Sequence, residues 1–222
     1  MARRLFDIAV SAACLLAGLV PGALAAILVK LTSPGPVLYR QTRVGRGGRP
    51  FTLLKFRTMR VAAGGAGVTS KGDPRITAVG GVLRRWKIDE LPQFWNVLAG
   101  DMSIIGPRPE IETYVRHYTA AQREVLEDRP GLAGMAQLVY PHESELLAGH
   151  ADPERAYVEE LMPLKIKVDV EYKRRRTFFS DLGIALEVAL LVAGSAPRMD
   201  RSFRFKDHEA AAPAAMPAAG RS

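Results

Sequence analysis

The chain lacks most of the side chains with which small domains build covalent or metal cross-links. Its single cysteine, Cys14, lies in an apolar segment, so a disulfide within the chain and a cysteine-rich zinc site are both excluded. The four histidines are scattered and show no zinc-ligand spacing. The sequence also has no internal repeat, no Walker phosphate loop, no dinucleotide-binding glycine fingerprint and no serine nucleophile elbow.

Acidic side chains are missing from one long region. Residues 8–72 contain no aspartate or glutamate but nine lysines and arginines, and the net charge of the 222-residue chain is +8. This imbalance predicts an anionic partner, which is nucleic acid, a lipid headgroup surface or a phosphorylated substrate. Apolar residues make up 48% of the chain, which is enough for one core and an appendage.

The appendage is predicted from residues 8–29, which carry no charge and would reach about 33 Å as a helix, enough to cross a bilayer. Arg3 and Arg4 precede this run and Lys30 follows it, so both ends favour the cytoplasmic side. Pro21 predicts a sharp bend near the middle. We therefore favour a re-entrant membrane anchor broken at Pro21 over a kinked spanning helix or a cleaved signal peptide, for which the run is too long.

A basic β-hairpin is predicted after the anchor. Residues 37–44 and 51–56 read as two strands joined by a glycine- and arginine-rich turn. Most of its arginines would bind anionic lipid, whereas Lys55 and Arg57 share one strand face and are candidates to point toward a site. The Gly/Ala-rich residues 62–72 read as a mobile lid or a disordered loop.

The rest of the chain is predicted to be mainly helical, which makes the fold class α+β, mostly helical with a small β-hairpin. We divide it into an anchor (1–31), one catalytic domain (32–195) and a disordered C-terminal tail (196–222). The apolar segment 182–193 is too short to span a membrane and suits a core or interfacial position. Helices are predicted at 79–86, from Asp89 to a stop at Gly100, at 111–126 and at 157–176.

Two adjacent acids, Asp89 and Glu90, follow Arg84 and Lys87 and are the most informative feature of the chain. Adjacent carboxylates repel each other, so a chain normally separates them or leaves them in water. They either occupy the first turn of an ordinary helix, where the helix dipole favours acids, or supply an ionised carboxylate that faces a phosphate and a divalent metal. Downstream, the stiff loop Pro107-Arg108-Pro109 would fix a guanidinium, which matches phosphate geometry.

Many ordered blocks, covering about residues 2–195, together make the sequence resemble one family. That family is the bacterial sugar transferases, the monotopic polyprenyl-phosphate phosphoglycosyl transferases. The blocks are residues 34–37, 40–45, Phe51 through Lys55-Phe56-Arg57-Thr58-Met59, 73–77, 83–84, Asp89-Glu90-Leu91-Pro92-Gln93, 95–98, 100–103, Gly106-Pro107-Arg108-Pro109-Glu110 and 129–137.

The resemblance implies transfer of a phosphosugar from a UDP-sugar to undecaprenyl phosphate with release of UMP. In the family this reaction initiates synthesis of exopolysaccharide, capsule, O-antigen or other glycoconjugates. It also implies a monotopic protein in the bacterial cytoplasmic membrane, held by a re-entrant helix, with its catalytic domain on the cytoplasmic face. The expected partners are the UDP-sugar, undecaprenyl phosphate and membrane lipid, and not nucleic acid.

The resemblance also implies roles for single residues. Asp89 is expected to be the nucleophile, and Glu90 together with Asp89 is expected to bind Mg²⁺. The cations and the metal are expected to lower the pKa of Asp89 and keep it ionised. The expected phosphate ligands are Lys55, Arg84 and Arg108, and the expected substrate loop comprises Pro107, Pro109 and Gln137.

The sequence departs from the family pattern at two places. Val20 precedes Pro21 at a position where family anchors often have serine. Residues 138–142 stand where the family commonly has a glycine-containing segment, and this second region could shape acceptor or sugar preference. Two alternatives from other classes are a non-catalytic, membrane-tethered basic module that binds anionic lipid or nucleic acid, and a soluble transferase with a signal anchor. Salt-sensitive binding without UMP release would favour the module.

Overall fold

The computed structural model describes residues 2–60, 73–141, 143–148 and 150–193. The segment 62–72, predicted as a lid or disordered loop, and the predicted tail 196–222 lie outside these described residues. The described chain is mostly helical with two small sheets, which confirms the α+β class. Its helices are α1 (Ala2–Ala17), α2 (Leu19–Thr32), α3 (Ala78–Arg85), α4 (Gln93–Ala99), α5 (Glu112–Val115), α6 (Met135–Val139), α7 (Glu143–Ala148), α8 (Pro153–Ala156), α9 (Met162–Arg175) and α10 (Phe178–Val192). Its strands are β1 (Leu38–Val44), β2 (Pro50–Phe56), β3 (Ser103–Ile105) and β4 (Gly131–Ala133), and 3₁₀ turns lie at Arg46–Gly48, Ile88–Glu90 and Gln122–Glu127.

The apolar N-terminal run forms α1 and α2, which meet at Gly18 with a bend of 60°. Among the described residues no single helix is long and apolar enough to cross a membrane, but this bent pair passes that test together. The bend precedes Pro21 by about one turn because the proline ring pushes against the carbonyl four residues earlier, at Ala17. Pro21 itself lies in the first turn of α2, where its missing N–H costs least.

Helix α1 has its polar side turned inward. Arg4 donates from its two terminal nitrogens to the carbonyl oxygens of Val97 (2.6 Å) and Leu98 (2.8 Å), at the end of α4. The buried Asp7 carboxylate accepts from the Ser103 hydroxyl (2.9 Å) and from the Ile104 amide (2.9 Å). These contacts fix α1 on the rest of the described fold, while large apolar side chains stay exposed on the bent pair: Leu5, Leu16, Leu19, Val20, Leu24 and Leu31.

The end of α2 is held by Arg57, which is 4% exposed. Its Nη2 donates to the Val29 carbonyl (3.2 Å) and the Ser33 carbonyl (2.7 Å), and its Nη1 donates to the Pro36 carbonyl. A helix end leaves carbonyl oxygens without partners, and a guanidinium can bond several of them at once. Arg57 therefore closes the end of α2, and the expectation that it points toward a site together with Lys55 is wrong.

The predicted basic hairpin is confirmed. Strands β1 and β2 pair antiparallel in a register that runs from Leu38 opposite Phe56 to Val44 opposite Pro50. Asn96 of α4 donates from Nδ2 to the Thr52 carbonyl (2.7 Å) and accepts from the Leu54 amide (3.1 Å). This pair of bonds holds β2, and with it Lys55, against α4.

A second sheet was not predicted. Strands β3 and β4 pair in parallel, with Ser103 opposite Gly131 and Ile105 opposite Ala133. Strands of three residues are too short to show an alternating pattern in the sequence. Because the carboxyl ends of parallel strands lie side by side, the sheet places the loop after Ile105 beside the segment that leads into α6.

The predicted helix at 111–126 is wrong, because the structure has only α5 and a separate 3₁₀ turn there. Between them, the Thr119 amide donates to the Gln122 side chain (2.8 Å) and the Gln122 amide donates to the Thr119 hydroxyl (3.2 Å). This reciprocal capping starts a new turn and ends the earlier helix.

The long C-terminal helices complete the core. The predicted helix at 157–176 is present as a π-helical turn (Tyr157–Leu161) that continues into α9, and α9 contributes side chains to both large apolar clusters. Helix α10 lies against α1, where Arg3 pairs with Asp181 (2.8 Å) and Phe6 meets Phe178 edge to face.

Candidate active site

The acidic pair lies in the 3₁₀ turn Ile88–Glu90, between α3 and α4. Lys87 precedes it with φ 55° and is the one non-glycine residue with positive φ in the part of the chain that the structure describes. Such a conformation costs about 1–3 kcal/mol and is held only where surrounding structure demands it. The expectation that Asp89 caps a helix is wrong, since Pro92 is the N-cap of α4. The turn instead buries both acids, with Asp89 5% and Glu90 9% exposed.

Glu90 forms ion pairs with two cationic side chains. Its Oε1 accepts from Arg108 Nη2 (3.0 Å), which comes from the loop after β3, and from Lys55 Nζ (3.3 Å), which comes from β2. Burial by itself would raise the pKa of Glu90, but the charges of Arg108 and Lys55 outweigh it and hold the pKa well below its usual range. Glu90 is therefore ionised at neutral pH.

Asp89 differs from its neighbour because no ion pair to it is found within the described ranges. Its Oδ1 is buried and has no hydrogen-bond partner among the described residues. Burial, and then the charge of Glu90, raise the pKa of Asp89 above its ordinary value. Lys55, Lys87 and Arg84 do lower this pKa, but burial and the charge of Glu90 outweigh them, so the expected net lowering is not found for the protein alone.

The three expected phosphate ligands fall into two groups. Lys55 and Arg108 meet at Glu90, and burial lowers the pKa of Lys55 to about 8. Arg84 lies apart from them and donates from Nε to the Thr58 hydroxyl (2.8 Å). Burial lowers the pKa of Arg84, whereas attraction to Asp89 raises it. The cations thus surround the acidic turn from both sides.

The loop of Pro107 and Pro109 is held at its backbone. The Pro107 carbonyl accepts from the Gly131 amide (2.7 Å), and the Pro109 carbonyl accepts from Arg43 Nη1 (3.0 Å). The Val44 amide also donates to the Glu110 carbonyl (2.8 Å). Both the hairpin and the parallel sheet therefore position this loop.

Two other residues expected at functional positions lie away from the acidic turn. Gln137 accepts through Oε1 from the Gly134 amide (2.9 Å) and so caps α6; no contact from it to the acidic pair is found in the described chain. Pro21 lies in α2, but the bend it causes is close to the turn, since a Cβ added at Gly18 would stand 3.4 Å from the Leu91 side chain.

A buried polar network next to the loop of Pro107 and Pro109 was not predicted from the sequence. The Tyr157 hydroxyl donates to Glu110, and Lys165 Nζ donates to the Tyr157 hydroxyl (3.4 Å) and to Glu143 Oε2 (2.6 Å). A signal was present, because Lys165 lies three residues after the apolar Met162, on the face of the helix that is buried.

The residues of the acidic turn fit a magnesium ion that also binds substrate. The described residues contain no group of three or more His, Cys, Asp or Glu side chains able to hold a metal by themselves. Mg²⁺ usually takes one or two carboxylates and completes its shell with water and substrate phosphates. The unpartnered Asp89 Oδ1, beside Glu90, is a donor of this kind.

Comparison with known proteins gives one family. The family model described as Bacterial sugar transferase matches residues 1–195. The chain is 43% identical over 190 residues to the UDP-glucose:undecaprenyl-phosphate glucose-1-phosphate transferase of Caulobacter vibrioides, covering 83% of this chain and 67% of that protein. It is 42% identical to the UDP-N-acetylgalactosamine-undecaprenyl-phosphate N-acetylgalactosaminephosphotransferase of Aeromonas hydrophila (71% of this chain) and 40% identical to the UDP-glucose:undecaprenyl-phosphate glucose-1-phosphate transferase of Escherichia coli (72%). The chain spans only 39% and 33% of the lengths of these last two relatives.

Proposed function

The chain belongs to the bacterial sugar transferase family, and from this premise we propose that it transfers a phosphosugar from a UDP-sugar to undecaprenyl phosphate and releases UMP. One relative is named for a UDP-glucose donor and another for a UDP-N-acetylgalactosamine donor. The proposal therefore assigns no particular sugar. By this proposal the protein carries out the initiating step of exopolysaccharide, capsule, O-antigen or related glycoconjugate synthesis.

The observation that carries the proposal is the unequal treatment of two adjacent carboxylates. Glu90 is paired with Arg108 and Lys55, whereas one buried oxygen of Asp89 has no partner among the residues that the structure describes. Phosphoryl transfer depends mainly on neutralising phosphate charge and on holding the attacking atom in line. Cations gathered at Glu90 serve the first need, and the free oxygen of Asp89 serves the second.

The proposed reaction has two steps. Asp89 attacks the phosphorus that bears the sugar, a P–O bond forms to the carboxylate, and the bond to the bridging oxygen breaks with its electron pair leaving on UMP. A phosphate oxygen of undecaprenyl phosphate then attacks the same phosphorus and displaces Asp89. Covalent catalysis of this kind lets a nucleotide and a lipid use one site in turn.

Asp89 and Glu90 are the residues that would hold Mg²⁺. When bound, the ion would neutralise phosphate charge and favour the ionised form of Asp89. Lys55 and Arg108 would bind the donor phosphates from the side of Glu90, and Arg84 would bind them from the side of Asp89. Pro107 and Pro109 would keep Arg108 in place.

We further propose that α1 and α2 form a re-entrant anchor on the cytoplasmic membrane, with the catalytic domain on its cytoplasmic face. Arg4 and Asp7 tie the first helix to the domain, and Arg57 ties the end of the second, so both ends of the pair stay on one side. The exposed leucines around the bend would enter the lipid, and basic flanks prefer the cytoplasm.

A release assay tests the reaction. Membranes with the purified protein are incubated with undecaprenyl phosphate, Mg²⁺ and each of several UDP-sugars, and UMP is measured. We expect release with at least one donor, and a covalent phosphosugar adduct on Asp89 when the lipid is omitted. Turnover without any adduct at Asp89 by mass spectrometry would reject the two-step route.

Topology has its own test. Cys14 is replaced by serine, and single cysteines are placed at Ala2 or Pro34, on either side of the bent pair. A re-entrant anchor predicts that both positions react with a membrane-impermeant thiol reagent in inside-out vesicles and that neither reacts in right-side-out vesicles. Labelling from opposite faces would show a spanning helix instead.

A further inference from the structure

The segment 138–142, which departs from the family pattern, leads into α7. The first residue of α7, Glu143, is held by an ion pair to Lys165. Glu143 Oε2 accepts from Lys165 Nζ at 2.6 Å. The Lys165 side chain is 9% exposed, whereas that of Glu143 is 34% exposed. The bond therefore fixes a solvent-accessible carboxylate to the buried face of α9.

The same lysine connects Glu143 to the loop that carries Arg108. Lys165 Nζ lies 5.0 Å from the centre of the Tyr157 ring and donates to its hydroxyl, which in turn donates to Glu110. Lys165 and Arg108 also line one cavity of about 30 Å³. Glu143 is thus positioned relative to Arg108 through a short series of buried contacts.

Glu143 bonds to Lys165, which lines the same cavity as Arg108. Its negative charge joins that of Glu90 in raising the pKa of Arg108. No partner for the second oxygen of Glu143 is found in the described chain. A carboxylate repels phosphate, so this oxygen is unsuited to the pyrophosphate of a donor, but it is a strong acceptor for hydroxyl groups.

We propose that Glu143 accepts a hydrogen bond from a hydroxyl of the donor sugar and so helps to select the sugar. The inference rests on the proposed function. A phosphate bound by Arg108 carries the sugar on one of its own oxygens, so the sugar ring stands next to Arg108, which lines the same cavity as Lys165, the residue that holds Glu143. Lys165 acts as a positioning residue, because it holds Glu143 and does not itself reach the substrate.

The experiment compares the unchanged protein with Glu143→Ala and Glu143→Gln. Initial rates of UMP release are measured for UDP-sugars that differ at single hydroxyls, and UDP alone is used as a competitive inhibitor to report on nucleotide binding. Glu112→Ala is the matched control, since Glu112 is an exposed acid at the start of α5 whose only described partner is Arg116 (2.8 Å). Thermal unfolding checks that each variant is folded.

We expect Glu143→Ala to lower kcat/KM about 10-fold for the preferred sugar, because the hydrogen bond from its hydroxyl to the charged carboxylate is lost. Epimers that do not make this bond should lose less. Glu143→Gln keeps an acceptor but not the charge, so its kcat/KM for the preferred sugar should lie between that of the unchanged protein and that of Glu143→Ala. Inhibition by UDP and the behaviour of Glu112→Ala should stay within about 2-fold of the unchanged protein.

Three results would overturn the inference. An equal loss for all sugars would show that Glu143 only supports the loop of Arg108, and weaker inhibition by UDP would place the contact at the ribose. Unchanged selectivity would remove Glu143 from the site. If the unchanged protein releases no UMP from any donor, the proposed function falls and this inference falls with it, whereas each of the first three results leaves the proposed function standing.

Discussion

The bent helix pair and the acidic turn both bury charge, but they treat it differently. Around the helix pair, the charged groups of Arg4 and Asp7 in α1, and of Arg57 just after β2, bond to backbone and hydroxyl groups. In the acidic turn, Glu90 takes two cations while the adjacent Asp89 leaves a buried oxygen without a described partner.

This difference distinguishes charged groups that hold elements of the fold together from charged groups that are candidates for catalysis. A buried charge with good partners fixes the arrangement of the elements that supply them, whereas a buried charge without partners costs free energy and is retained where it has another use. Lack of a partner is not sufficient alone, since the buried Ser11 hydroxyl in α1 also has none among the described residues. The position of Asp89 among Arg84, Lys87 and Lys55 distinguishes it.

The largest expected effect is that of Asp89→Asn. We expect UMP release to fall at least about 10³-fold, because the shape is kept and the nucleophile is lost. The free energy of unfolding should stay equal or rise, because folding raises the pKa of Asp89 and the ionised form therefore opposes folding. Steady-state rates and chemical denaturation are the measurements.

The exposed acid Asp101 gives the control for this comparison. Asp101→Asn should leave both rate and stability near those of the unchanged protein. If Asp89→Asn retained near-normal turnover, Asp89 would not be the nucleophile. If it lost rate and stability together, Asp89 would resemble the structural charges of the helix pair.

The next effect is on stability and is expected for Arg57→Met. Removing the guanidinium leaves several carbonyl oxygens at the end of α2 without partners, so we expect a loss of about 3 kcal/mol in the free energy of unfolding. Denaturation in detergent micelles measures it. Arg46→Met is the control, since Arg46 is exposed and makes one bond to the Glu127 carbonyl. Equal effects of the two changes would contradict a closing role for Arg57.

Arg108→Ala should affect the donor more than the fold. We expect kcat/KM for the UDP-sugar to fall about 10²-fold, because one cation that binds phosphate is lost. Arg108→Lys should recover part of the rate, since it restores charge but not the bidentate geometry. An unchanged rate and apparent affinity for the donor would remove Arg108 from the site.

The smallest effect concerns pH and Lys55. Burial lowers the pKa of Lys55 to about 8, so the lysine is protonated below this pH and loses its proton as the pH rises through it. If the charged form binds phosphate, kcat/KM for the donor falls up to about 10-fold per pH unit above 8. Lys55→Arg, which stays charged, should abolish this alkaline decline, and its persistence would assign the decline to another group.

Local pattern was sufficient for some elements and not for others. The hairpin and α9 follow from alternation and helical periodicity that extend over many residues. The β3–β4 sheet does not, because three-residue strands carry no period. Lys55 and Arg57 look alike in the sequence, yet one reaches Glu90 and the other closes α2, since their partners come from distant segments.

Residue types and their order along the chain were enough to identify the family, the bend caused by Pro21 and the set of charged residues from which the site is built. Only the tertiary structure decided which carboxylate receives the cations. Coulomb energies and desolvation depend on distance and burial, and the folding of β2 and the Arg108 loop onto Glu90 leaves Asp89 without an ion pair in the described part of the chain.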